Sequence, residues 1–118
     1  MADAGLFLRW GSPAPGRARK GFDLFAETLQ YCQELEKDGR IESFETVLLE
    51  DHGTNLRGFI LLRGERQALA SVRVDDDFLR MVMRAGLILE GVGVIGAHLG
   101  EGIGRFLEIF QKQVEELN

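Results

Sequence analysis

The sequence predicts an α+β domain with a four-stranded antiparallel sheet and helices on one face. Two observations carry this prediction. The hydrophobic period changes along the chain in the order strand, helix, strand, strand, helix, strand, helix. With right-handed crossovers, two βαβ halves of this order interlock into one such sheet, followed by an extra C-terminal helix. The length of 118 residues favours a single domain over residues 1–118.

The first strand is predicted over residues 6–10. Leu6, Leu8 and Trp10 share one face, and Phe7 and Arg9 share the other. Residues 11–16 contain both prolines of the chain and break regular structure.

A helix is predicted over residues 21–38, because apolar side chains recur there at spacings of three and four. These side chains are Phe22, Phe25, Leu29, Cys32 and Leu35. Gly39 is placed to end the helix. Cys32 is the one cysteine, and its place in the stripe predicts a buried, unreactive thiol.

Residues 41–50 and 56–63 are predicted as two strands joined by a turn at 51–55. Both strands become apolar on both faces in their inner halves, with Val47 and Leu49 opposed to Phe44 and Leu48. The strands of a sheet with one solvent-exposed face would alternate polar and apolar residues instead. Both faces of this sheet therefore need cover.

Two helical pieces follow, over residues 65–71 and from the aspartates at 75–77 to Gly86, with the aspartates capping the second piece. The fourth strand is predicted over residues 87–99. The stripe of the last helix comprises Ile103, Phe106, Leu107, Phe110, Val114 and Leu117.

The second face of the sheet stays apolar once the helices cover the first. A homodimer that stacks two such faces is favoured. The alternative is that the last helix covers the same face within one chain.

The net charge of −5 gives no basic footprint for nucleic acid. No apolar run reaches the roughly 18 residues of a membrane span, and the N-terminus lacks signal-peptide features, so a cytoplasmic location is expected. No set of His, Cys or carboxylate residues has metal-ligand spacing, and neither a metal nor a cofactor is predicted.

The element order with two-faced strands resembles the dimeric α+β barrel group of ferredoxin-like proteins. Residues 58–64 (GFILLRG), 78–80 (FLR) and 91–94 (GVGV) resemble YCII-related proteins most. The resemblance implies a ferredoxin-like βαββαβ fold and a homodimer.

Arg9, Arg17 and Arg19 are candidate ligands for a carboxylate or phosphate, with Trp10 beside them; a solvated loop is the simpler interpretation of Arg17 and Arg19.

His98 follows the Val92, Val94 and Gly96 face and is the candidate proton carrier. A histidine bonded to a carbonyl is the structural alternative for His98. His52 lies in a polar turn and is expected to be exposed.

Two glycine-rich segments invite phosphate or anion binding. Residues 91–96 match G-x-G-x-x-G, but the pattern continues as a strand, which favours close packing over a dinucleotide site. Residues 100–104 precede a helix, where glycines either permit the turn or hold an anion.

Two hypotheses for function remain open. The first is a small homodimer that binds a small organic molecule in a pocket formed by a sheet face and the loop after the first strand. The second is a cofactor-free isomerase or monooxygenase acting on an apolar acid at that pocket. The second requires His98, Arg9 and Trp10 to open into one cavity.

Overall fold

The computed structural model describes residues 2–118, within which there are four strands and four helices. They are β1 (Ala4–Trp10), α1 (Ala18–Lys37), β2 (Ser43–Leu48), β3 (Gly58–Gly64), α2 (Arg66–Arg73), α3 (Asp76–Ile88), β4 (Gly93–His98) and α4 (Glu101–Leu117). The strands form one antiparallel sheet in the order β2–β3–β1–β4. The predicted fold class is confirmed.

The core lies between one face of the sheet and helices α1, α2 and α3. In the centre of the sheet, Leu6 pairs with Leu62 on β3 and with Gly96 on β4. Ile60, Leu62 and Phe78 are almost fully buried. Cys32 is fully buried as predicted, and burial raises the pKa of its thiol to about 12.

The other side of the sheet carries five apolar side chains that remain half-buried or exposed, and we call this surface the open face. They are Phe7, Val47, Phe59, Leu61 and Ile95. The rings of Phe7 and Phe59 lie with their centroids 4.7 Å apart. Burial of a large apolar side chain stabilises a protein by about 1.5–3 kcal/mol, so this surface favours association.

The fourth strand is shorter than predicted. Leu87 and Ile88 belong to the last turn of α3, where the Leu89 N–H donates to the Ala85 carbonyl at 2.7 Å. The chain then turns at Gly91, whose φ is 62°, and β4 begins at Gly93. Within the apolar run 87–89, Ile88 packs in the core. A short apolar run of this kind fits a strand and a buried helix end equally well.

The N-terminus of α3 also differs from the prediction in detail. The helix begins at Asp76, but the Asp75 side chain makes no capping hydrogen bond. The Asp75 carboxylate instead forms an ion pair with Arg40, whose Nη2 also donates to Ser71 Oγ at 3.2 Å. This pair links the end of α1 to the α2–α3 junction.

The β4 strand lies at an edge of the sheet. There, Nη2 of Arg73, at the end of α2, donates a hydrogen bond of 3.2 Å to the Val94 carbonyl. One outward-facing carbonyl of the edge is therefore occupied by a side chain.

Helix α4 leaves the sheet at Gly100, and no residue of α4 is buried. Its contact with the sheet includes the Phe106 ring, which stacks on His98 with centroids 4.3 Å apart. The stripe predicted for α4 is present but does not cover the open face of its own chain. No helix in the described part of the chain is both long enough and apolar enough to cross a membrane.

Candidate functional site

A cavity of about 360 Å³ lies on the helix-covered side of the sheet, at the end where β1 finishes and β4 starts. Helices α1 and α3 form its other walls. The lining side chains are mainly aliphatic and aromatic, and include Leu8, Trp10, Leu24, Phe25, Ile60, Met81, Val82 and Val94. This volume falls within the range of small-molecule sites. The cavity is thus on the face opposite the open face.

Trp10 forms one aromatic wall of the cavity because its position in β1 directs it to the helix-covered side. It pairs with Gly58 on β3. A Cβ at Gly58 would lie 2.7 Å from Trp10 Cζ2, so the glycine leaves the space that the indole occupies. The Phe25 ring from α1 approaches Trp10 with a centroid distance of 5.8 Å and an interplanar angle of 59°.

Asn55 holds three loops together at the mouth of the cavity. Its Oδ1 accepts a hydrogen bond from the Ser12 N–H at 2.8 Å, and its Nδ2 donates to Glu90 Oε1 at 3.1 Å. Glu90 is also tied through its backbone, because the Gly11 N–H donates to the Glu90 carbonyl at 2.7 Å. The start of the loop after β1 is therefore fixed to the segment before β4.

Two arginines stand at the same mouth, and both bind protein groups. Arg9 donates from Nε to the Gly91 carbonyl and from Nη2 to the Asn55 carbonyl, each at 3.0 Å. Arg57 donates from Nε to Ser12 Oγ at 3.2 Å and forms an ion pair with Asp51. The mouth thus has cationic groups, whereas the interior is apolar.

The cavity wall, within residues 2–118, contains no histidine, cysteine or carboxylate side chain. Thr28 is a polar residue of the wall, and its hydroxyl donates to the Leu24 carbonyl at 2.8 Å. No cluster of three or more metal-ligating side chains occurs in this described range. The cavity therefore offers shape and apolar surface rather than acid–base groups.

The structure brings together only two of the five predicted site residues. Arg9 and Trp10 line the cavity. Arg17 and Arg19 lie at the start of α1 and are exposed; Arg17 borders a separate, charged cleft between α1 and α3. The solvated interpretation of these two arginines fits their positions better than a shared ligand site does.

The expected convergence of His98 with Arg9 and Trp10 is not observed. His98 pairs with Ala4 at the far end of β1 from Trp10, which is roughly 20 Å along a strand. His98 does share the face of Val94, as the alternation predicts, but it lies outside the cavity wall. The exposed His52 is held in its turn through Nε2, which is 2.7 Å from the Leu56 carbonyl oxygen.

In each of the two glycine-rich segments at least one glycine lies close to neighbouring atoms. No helix begins at Gly96, and a Cβ at Gly93 would lie 3.3 Å from Arg9 Cγ, so the arginine side chain lies across this strand. At the start of α4, a Cβ at Gly102 would lie 2.1 Å from the Asp3 carbonyl oxygen. The Asp3 carbonyl therefore occupies the space beside Gly102, which disfavours an anion at that position.

Sequence reasoning missed Asn55, Arg57 and Met81 as residues of the site. Met81 belongs to the apolar stripe that predicts α3, and a stripe alone does not separate a core position from a cavity wall. Asn55 and Arg57 flank the start of β3, and nothing in their spacing indicates that they meet the loop after β1.

Two solved structures resemble the chain in its fold. One is a dimeric protein of unknown function and ferredoxin-like fold from Bacteroides fragilis, with a TM-score of 0.59 and 6% identity over 81% of this chain and 96% of that one. The fold is ferredoxin-like. The other is SnoaB, a cofactor-independent oxygenase from Streptomyces nogalater, with a TM-score of 0.50 and 14% identity over 84% of this chain and 93% of that one. No family model matches this ferredoxin-like chain, and no curated protein matches it by sequence.

Proposed function

We propose that this protein is a ferredoxin-like homodimer that binds a small apolar organic molecule between the sheet and helices α1 and α3. The observation that carries the proposal is the cavity of about 360 Å³ with its aliphatic and aromatic lining. A space of this size and chemistry, with a few polar groups at its mouth, is typical of small-molecule sites.

The walls favour a flat ligand with an apolar body. Trp10 and Phe25 supply aromatic surfaces, and Met81 supplies a polarizable side chain that adapts to ligand shape. Arg57 lies at the mouth in an ion pair with the largely exposed Asp51, and a ligand carboxylate there would compete with Asp51 for the guanidinium. An aromatic carboxylic acid is the ligand class that fits both features.

Binding is favoured over catalysis because the cavity wall, as far as residues 2–118 form it, contains no histidine, cysteine or carboxylate side chain. A general base must come within hydrogen-bond reach of its substrate. His98 would have to act from the far end of β1. The cofactor-free enzyme hypothesis therefore depends on a reactive group of the ligand itself.

The open face supports the homodimer. Its five apolar side chains lie on one side of a single sheet, and a two-fold pairing would bury the same surface on both subunits. The similar protein from Bacteroides fragilis is dimeric. Ile95, half exposed near the centre of β4, is suited to a test: Ile95→Asp should produce a monomer by native mass spectrometry, whereas Leu87→Asp on exposed α3 should not.

Ligand binding is tested with 2-naphthoate as the probe and Trp10, the single tryptophan, as the reporter. Saturable quenching of Trp10 emission is expected. Ala85→Phe fills the cavity and should abolish the quenching, while the matched Ala70→Phe on the exposed side of α2 should leave it unchanged. Equal quenching in both variants would place the probe elsewhere and contradict the proposal.

A further inference from the structure

The apolar stripe of α4 makes one ring contact within the described chain, between Phe106 and His98, and is otherwise largely exposed. Its six side chains are 43–86% exposed, and they are Ile103, Phe106, Leu107, Phe110, Val114 and Leu117. The charged residues of the helix occupy the opposite side, among them Arg105, Glu108 and Lys112. The helix is therefore amphipathic, with most of its apolar side in solvent; Ile109, which is 53% exposed, lies outside the stripe.

A helix in this condition needs packing to remain stable. Helices in proteins gain most of their stability from burial of an apolar side rather than from helix propensity. The stripe exposes on the order of 500–700 Å² of apolar surface, if each Leu, Ile or Phe side chain offers roughly 150–200 Å². That lies at the upper end of, or above, the roughly 300–600 Å² of the largest apolar patch on a typical monomer.

The open face of the sheet is continuous with the start of α4. The side chains of Leu61 and Leu99 both lie over Gly5, because a Cβ at Gly5 would lie 2.9 Å from Leu61 Cδ1 and 3.1 Å from Leu99 Cδ1. Leu99 lies two residues before the first residue of α4. A molecule seated on the open face would therefore reach the base of this helix.

We infer that α4 is an arm that packs its apolar stripe against the second subunit of the homodimer. This inference rests on the dimer of the proposed function. One chain presents two largely exposed apolar surfaces, and a second copy of the same chain can cover both under two-fold symmetry. Together they approach the roughly 800 Å² per subunit that a standard stable interface buries.

The charge of α4 argues against a membrane as the occupant. The helix carries four glutamates against Arg105 and Lys112. Helices that lie on membrane surfaces are rich in lysine and arginine on their polar side, because anionic lipids attract them. A net acidic arm suits a protein surface better.

The decisive experiment is an isotope-filtered NOE measurement on dimers mixed from labelled and unlabelled full-length chains. We expect intersubunit NOEs from the Phe106 and Phe110 rings. A dimer in which all α4 NOEs lie within one chain would overturn the arm and leave the dimer intact. A monomeric wild-type chain at micromolar concentration would overturn both.

A pair of variants provides the second measurement. Phe110→Glu puts a charge in the stripe and should weaken dimerisation about 100-fold, as loss of a central apolar contact does. Lys112→Gln makes the same change in net charge on the polar side and should leave the dissociation constant unchanged. Equal dissociation constants for the two variants would contradict the arm, as would binding of wild-type protein to anionic phosphatidylserine vesicles through α4 in place of dimerisation.

Discussion

The side chain of Asn55 lies against the α-carbon of Gly11, and a Cβ added to Gly11 would sit 2.4 Å from Asn55 Oδ1 and 2.8 Å from the Asn55 carbonyl oxygen. The contact joins the end of β1 to the start of β3 at the mouth of the cavity. Because one of the two oxygen atoms belongs to the backbone, rotation of a side chain does not relieve the clash.

Gly11→Ala is therefore expected to destabilise the protein by about 2 kcal/mol, in the range that overpacking costs. Urea unfolding followed by circular dichroism measures this. Gly86→Ala is the control, since a Cβ at Gly86 in α3 meets nothing within 4 Å and should raise stability by about 0.5–1 kcal/mol. Equal stability of Gly11→Ala and wild type would show that the mouth is not rigid.

The contact between Gly58 and Trp10 leads to a prediction with an optical readout. A Cβ at Gly58 would lie 2.7 Å from both Trp10 Cζ2 and the Val47 carbonyl oxygen, so Gly58→Ala must displace the indole or strand β2. We expect a loss of about 2 kcal/mol and a red shift of tryptophan emission. In Gly96→Ala, where the nearest contact is an ordinary 3.7 Å to Arg73, the emission should not change.

Cys32 gives a pH dependence of stability. Burial raises the pKa of its thiol from 9.0 to about 12 in the folded protein. Above pH 9 the unfolded chain loses this proton more readily than the folded chain does. The stability that the buried, protonated thiol contributes is therefore complete below pH 9 and is lost between pH 9 and 12. Within this range the free energy of unfolding should fall by about 1.4 kcal/mol per pH unit.

Cys32→Ala removes this dependence. At pH 7 the variant should be less stable than wild type by about 1–2 kcal/mol because of the small cavity it leaves. At pH 11 the difference should vanish or reverse. Denaturant unfolding of both proteins at the two pH values is the measurement, and a difference that stays constant with pH would contradict the buried-thiol explanation.

The ion pair between Arg40 and Asp75 has side chains that are 35% and 33% exposed, less than those of the Arg63–Glu45 and Arg80–Asp77 pairs. The hydrogen bond from Arg40 also raises its own pKa. Asp75→Ala is expected to cost about 1 kcal/mol, the upper end for partly exposed pairs.

Asp77→Ala is the matched comparison for this pair. Asp77 pairs with Arg80 on the same helix, and their side chains are 70% and 66% exposed. Its loss should change the free energy of unfolding by less than about 0.5 kcal/mol. If the two alanine variants lose equal stability, the Arg40–Asp75 ion pair stabilises the protein no more than the exposed Arg80–Asp77 pair does.

The sequence predicted the faces of the strands well and the positions along them poorly. Phe44 and Leu48 could be assigned to one face and Val47 to the other because side chains alternate in a strand with a period of two. Alternation also put His98 on the face of Val94. It carries no information about register, and the pairing of His98 with Ala4 is what separates His98 from Trp10.

The polar part of the site was beyond sequence reasoning for a related reason. Asn55 acts by joining Ser12 and Glu90, which are 43 and 35 residues away along the chain. Such a contact depends on how three loops converge, and an asparagine in a turn has the same local pattern whether or not it makes one. The end of α3 was misassigned because the apolar run 87–89 fits either element.

The hydrogen bond from Arg73 to the Val94 carbonyl bears on how copies of the protein can assemble. A chain that added itself alongside β4 would first have to displace this guanidinium, and a positive charge at a sheet edge opposes unlimited growth of the ladder. Self-association is thereby steered toward closed pairs and away from fibrils.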